Sequence, residues 1–199
     1  VINPGDVQWM TAGGGILHKE YHEENFSKRG GPFEMVQLWV NLPAKDKLTP
    51  AKYQPITAGQ MGKVALPDNG GTVNVIAGNF NGEAGTATTF TPVNMFDIKL
   101  NAGGKLSTNI PISHNAVLLV VEGSANVNGA AVSEHDFVLF KNEGDEINIS
   151  ADGTAVLLLL TGEPINEPIA QYGPFVMNTH QELQVAFQEF QSGKFGVLN

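Results

Sequence analysis

The sequence predicts an all-β protein with one C-terminal α-helix. Three observations carry that prediction. Charged residues make up only 16% of the 199 residues, too few for an α-rich chain, while 23 glycines and 11 prolines supply turns. The apolar residues fall in short runs, many of them alternating, each bounded by turn residues. A single stretch, close to the C-terminus, has a helical period.

The elements can be justified in chain order. Val36, Leu38, Val40 and Leu42 share one face of a predicted strand, with Gln37, Trp39 and Asn41 on the other. Phe96, Ile98 and Leu100 alternate with Met95, Asp97 and Lys99. Residues 116–123, AVLLVVEG, read as a buried strand. Asn128-Gly129 is a strong hairpin turn between 125–127 and 130–132. The runs DFVLF (136–140), EINIS (146–150) and AVLLLL (155–160) continue the series, whose spacing suits a sandwich or barrel. The helix begins at Thr179 with Glu182 three residues on, a capping box. Leu183, Phe187 and Phe190 then form a stripe, read as a face that docks on a sheet, and Gly193 ends the helix.

Length and charge limit the function classes. The chain suits one large domain or two small ones. Its net charge of −9, from 20 acids against 11 bases, disfavours unaided contact with nucleic acid or an anionic membrane. Without cysteine it has neither disulfides nor a thiol nucleophile, and it suits the cytoplasm. The longest apolar run, 155–160, is strand-sized rather than membrane-sized. The opening VINPGDVQW reads as the interior of a folded domain, so residues upstream of Val1 are expected.

A faint repeat links residues 4–44 to 135–164: an acid-led strand, a Gly-rich turn, a closing apolar strand and a proline. Further strands (95–133) precede the second copy, and nothing precedes the first. Two equivalent barrels, the first lacking its opening half, would account for this.

The chemical candidates are few. In GILHKEYH (15–22), His18 and Glu20 are alternate residues and would share a strand face about 7 Å apart, a span that two ligands of one ion can bridge. His22 would lie about 13 Å from His18, out of reach of the same ion without a sharp bend. An imidazole with a carboxylate suits Fe(II), Mn(II) or Zn(II). On spacing alone the plainer reading is a solvated strand end. In the second copy the matching place falls at Ile147 and Asn148, which cannot form such a site. His114 and His135 are isolated, and His180 lies in the first helical turn. There is no nucleophile elbow, phosphate loop or basic reading helix.

Several stretches together resemble the pirin family of the cupin superfamily. They are PGDVQWMTAGGGILHKE (4–20), QLWVNLPAKDKLTPAKYQ (37–54), VNVIAG (73–78), NAVLLVVEG (115–123) and EPIAQYGPFVMNTHQELQVAFQEFQSGKFG (167–196). They run in family order nearly from end to end. The resemblance implies a bicupin: residues 1–55 as the C-terminal half of a first, incomplete cupin, 56–165 as the second cupin with linking strands, and 166–199 as a tail and helix bracing the two. It implies one divalent metal, usually iron, in the N-terminal cupin. Two family ligands lie in a His-Pro-His-Arg-Gly stretch, and His18 and Glu20 match the other two. This sequence has no His-Pro-His, and the family's C-terminal cupin normally carries no metal.

Three functions follow from the resemblance. The first is a quercetin 2,3-dioxygenase-like oxygenase acting on a flavonol, with this chain inactive alone. The second is a metal-dependent regulatory protein that binds a transcriptional or metabolic protein partner, for which the acidic surface would suit a basic patch. The third is a metal-free cupin remnant. A half barrel would expose sheet edges and apolar surface, to be covered by the second cupin, a swapped dimer partner or a retained N-terminal fragment.

Overall fold

The computed structural model describes residues 1–198. In chain order its elements are β1 (Val7–Thr11), α1 (Glu24–Arg29), β2 (Lys52–Ile56), β3 (Gly62–Ala65), β4 (Gly71–Ala77), β5 (Asn79–Phe80) and β6 (Glu83–Ala84). There follow β7 (Val93–Leu100), β8 (Lys105–Asn109), β9 (Asn115–Val127), β10 (Ala130–Ser133), β11 (Phe137–Leu139), β12 (Glu146–Ser150) and β13 (Ala155–Gly162). The chain closes with β14 (Ala170–Tyr172), β15 (Phe175–Met177) and α2 (His180–Gln191). It divides into two units, one built from residues 4–9 and 55–164 and the other from 1–3, 10–54 and 165 onward.

The larger unit is a curled antiparallel sheet in the order β3-β4-β7-β13-β9-β12-β8, with β10 and β11 also paired to β9. Alternation sets its two faces. Val73, Ile98, Leu157 and Val120 stand side by side across four strands, each 0% exposed. Val75, Phe96, Leu159 and Leu118 form the next row. Fully burying an aliphatic side chain of this size contributes about 1.5–3 kcal/mol, so these two rows carry much of the unit's stability. The opposite face buries Met95, Leu158, Ile56 and Met61, with Val7 and Trp9 packed against them. Coverage on both faces explains why β13 reads as a continuous apolar run rather than an alternating one.

The hairpin expected at Asn128-Gly129 forms. Ala130 pairs with Val127 and Val132 with Ala125, and both turn residues have positive φ (50° and 86°), as a two-residue type I′ turn requires. The strand before it is longer than expected, running unbroken through Gly123, with a bulge where β13 pairs with it.

In the other unit, α2 has the expected capping box. Thr179 Oγ1 accepts from the Glu182 amide at 3.2 Å, and Glu182 Oε2 accepts from the Thr179 amide at 2.8 Å. Leu183 and Ala186 are buried, and Phe187 packs its ring on Tyr172 and Phe175 of the β14–β15 hairpin. Phe190, the last residue of the expected stripe, is half-exposed.

Two expectations are corrected here. The single C-terminal helix is joined by a second, α1, six residues long and without an apolar stripe to reveal it. It is held by Glu23, whose carboxylate accepts from the amides of Asn25 (2.9 Å) and Phe26 (2.7 Å). Those two backbone bonds, the Asn25 one first, hold the Glu23 carboxyl below its usual range. The strand expected over 36–42 does not form: Val36, Leu38 and Val40 are all about 40% exposed, and among the described residues no strand pairs with them. Alternation supplies a two-faced segment, but a strand also needs a ladder partner.

Candidate metal centre

The site begins with the glycines after β1. The Gly14 amide donates to Thr49 O at 2.9 Å and the Gly15 amide to Ala12 O at 3.0 Å, closing a tight turn. Gly15 has φ +115° and lies against the Phe195 ring, so any Cβ there would collide with the ring. From this turn the chain runs on to His18 and Glu20 without joining a sheet. The two side chains nevertheless converge: His18 Nδ1 lies 3.9 Å from Glu20 Oε1, and both are a little over 40% exposed. An imidazole nitrogen and a carboxylate oxygen this close fit two positions around one borderline divalent ion. They do not complete a coordination sphere, and among the described residues no group of three His, Asp or Glu side chains is placed to hold one metal ion.

His22 is set apart. Its ring meets Phe26 edge-on at 5.5 Å and Phe33 at 4.8 Å, forming an aromatic cluster beside α1. The other histidines lie elsewhere. His114 is buried, its Nδ1 3.1 Å from Thr161 Oγ1, which also accepts from Asn94 Nδ2 at 2.9 Å. His135 is exposed at a positive φ beside Glu134, and His180 opens α2. Ile147 is 2% exposed inside the apolar core, and the Asn148 amide donates to Asn128 Oδ1 at 2.7 Å. Aliphatic and aromatic side chains fill the inner face of the larger unit's sheet, leaving no ligand cluster there.

One polar cluster gave no signal in the sequence. Lys47, in a loop whose composition reads as solvated, is 7% exposed. Its Nζ donates to Asn41 Oδ1 at 2.7 Å. Desolvation lowers its pKa, partly opposed by the carboxylates of Glu167 and Glu182. Glu167 Oε2 accepts from the Ala44 amide (2.7 Å) and Asn178 Nδ2 (3.0 Å), tying the 41–47 loop to the C-terminal segment. Burial also pulls Glu182 upward, but its bonds from Asn178 and Thr179 outweigh that and leave its carboxyl below the usual value.

Lys47 should give the protein an alkaline signature. Its folded pKa lies below its unfolded one, so between the two values the unfolded chain binds more protons and stability rises with pH. Denaturant titrations at pH steps below the ordinary lysine value should show that rise in the parent chain. It should be absent from Lys47→Met, and equal slopes would contradict the assignment.

The curled antiparallel sheet of the larger unit, apolar within, is that of an all-β cupin. The pirin C-terminal cupin domain family matches residues 95–196, and the pirin family matches residues 1–40. A Pseudomonas aeruginosa protein provisionally named a quercetin 2,3-dioxygenase is 43% identical over 194 residues, covering 98% of this chain and 68% of that one. Pirin-1 of Arabidopsis thaliana is 38% identical over 202 residues, covering 98% and 67%. The crystal structure of quercetin 2,3-dioxygenase from Acinetobacter baumannii superposes with a TM-score of 0.94 at 46% identity, covering all of this chain and 69% of that one. The chain belongs to the pirin family. It spans about two thirds of the length of these relatives. Among the described residues no helix is long and apolar enough to cross a membrane.

Proposed function

We propose that His18 and Glu20 are two ligands of a single divalent metal, iron first among the candidates, in a centre of the quercetin 2,3-dioxygenase type that takes a flavonol as substrate. The observation that carries this is the convergence of the two side chains within 3.9 Å, in a stretch that the pirin family matches. Such an ion offers open positions to a flavonol and to O2. His18 would bind through a ring nitrogen and Glu20 as a carboxylate. Glu20 also brings the negative charge that offsets the ion's. The Gly13–Gly15 turn, with the Phe195 ring against Gly15, stands just before the pair.

Two ligands hold a divalent ion weakly, so the remaining donors come from residues outside the 198 described. The exposed segment 33–40, with Phe33, Met35 and Trp39 each more than half exposed, is the surface they would cover by adding strands to its unpaired backbone. The 199-residue chain alone is therefore expected to be inactive. Oxygen uptake with quercetin, after anaerobic loading with Fe(II), tests this. Background-level uptake by this chain and turnover by a form carrying the added strands would support the reading. Turnover by the chain alone would overturn the two-ligand part of it, and no turnover by either form would overturn the substrate.

A further inference from the structure

The outer face of the larger unit's sheet changes character between its edge and its centre. Near β13 it is apolar, whereas over β3, β4 and β7 it becomes a polar grid. Lys63, Asn74 and Asp97 stand in one cross-strand row, and Ala65, Thr72 and Lys99 in the next. A polar outer face is ordinarily just solvated, but this one is walled. Pro4 and Gly5, which lie beside Ala58, and Met61 line it together with the grid, forming an open groove of about 670 Å³. The wall is fixed, because Asp6 Oδ1 accepts from the Ala58 amide at 2.8 Å.

The side chains vary in size across the groove. Ala65 and Thr72 are its small residues, and the lysines stand at diagonal corners of the two rows. Two strand spacings across and two residues along place the lysine Cα atoms about 12 Å apart, so both ammonium groups can close over one ring-sized ligand. Asp97 Oδ2 accepts from Asn74 Nδ2 at 2.8 Å and lies 3.8 Å from Lys99 Nζ. The carboxylate is thus oriented, with its other oxygen able to accept a hydroxyl proton. Among the described residues, Lys63 Nζ and Thr72 Oγ1 have no side-chain partner. Two of only 11 cations in a chain of charge −9 therefore face one groove whose other polar side chains are neutral amides, a hydroxyl and a single carboxylate, beside apolar residues such as Leu66 and Met61.

We propose that this groove binds a polyhydroxylated carboxylate of monosaccharide size, a sugar acid. Lys63 and Lys99 hold its anionic group, while Asp97, Asn74 and Thr72 hydrogen-bond its hydroxyls. The proposal is independent of the metal centre and makes no use of its ligands.

The probe is D-glucuronate, titrated calorimetrically into the intact chain with saturation-transfer NMR in parallel, against D-glucose as the neutral control. Saturable glucuronate binding is expected, with glucose weaker by about tenfold because it lacks the charge-assisted contacts. Lys63→Ala and Asp97→Asn should each weaken glucuronate by about fivefold or more. Both positions are on the sheet surface, and an unchanged far-UV spectrum would show that each variant is folded. Absence of saturable binding, equal binding of glucose, or unchanged affinity in both variants would each overturn the proposal.

Discussion

Leu157→Ala should cost the larger unit about 3–5 kcal/mol, because the site is fully closed and little can collapse into the space left behind. Leu157 is 0% exposed and lies between Ile98 and Val120, themselves 0% exposed, with Val73 beyond Ile98. A loss of that size is a large share of the 5–15 kcal/mol that holds a typical domain folded. At about 2–4 °C per kcal/mol it should lower Tm by about 6–20 °C. Val185→Ala is the contrast. Val185 is 47% exposed on α2, and its truncation should stay within about 0.5 kcal/mol. Urea titrations of the two variants check both values, and comparable losses would mean that the two cross-strand rows are not the principal core.

The second large effect concerns metal. Titrated with Co(II), a spectroscopic stand-in for Fe(II), the chain should bind one ion weakly. His18→Ala and Glu20→Ala should each lose at least about tenfold in affinity, because each removes one of only two donors. His22→Ala should leave Co(II) affinity unchanged, since its ring is packed against Phe26 and Phe33. The visible Co(II) spectrum and the proton release on binding are the readouts. A His22→Ala loss matching that of His18→Ala would move the centre to the far end of the GILHKEYH stretch.

How much of this could be read in the sequence depends on whether the deciding force is local. The Asn128-Gly129 hairpin and the Thr179–Glu182 capping box are fixed within four residues, and both appear as expected. Strands β12 and β13 were legible because an uninterrupted or alternating apolar run bounded by turns has few other uses. The 36–42 segment shows the limit of that method. Its alternation is as regular as that of β7, yet β7 has neighbours on both sides and 36–42 has none among the described residues. Helix α1 lacks an apolar period and depends on one carboxylate cap. The His18–Glu20 pair was visible as a spacing, but the expected strand geometry was not what brought it together. An irregular segment after a glycine turn does so instead. Lys47 was invisible because the carboxylates that act on it, Glu167 and Glu182, lie more than a hundred residues away in the sequence.

The Phe195 ring resting on Gly15 makes the C-terminal tail part of the footing of the turn that leads to His18 and Glu20. A protease that nicks the chain before residue 195, or a bulky C-terminal fusion that draws the tail away, would leave every proposed ligand intact while loosening the turn three residues before His18. Preparations of this protein should therefore be compared by the integrity of their last five residues before differences in metal content are attributed to anything else.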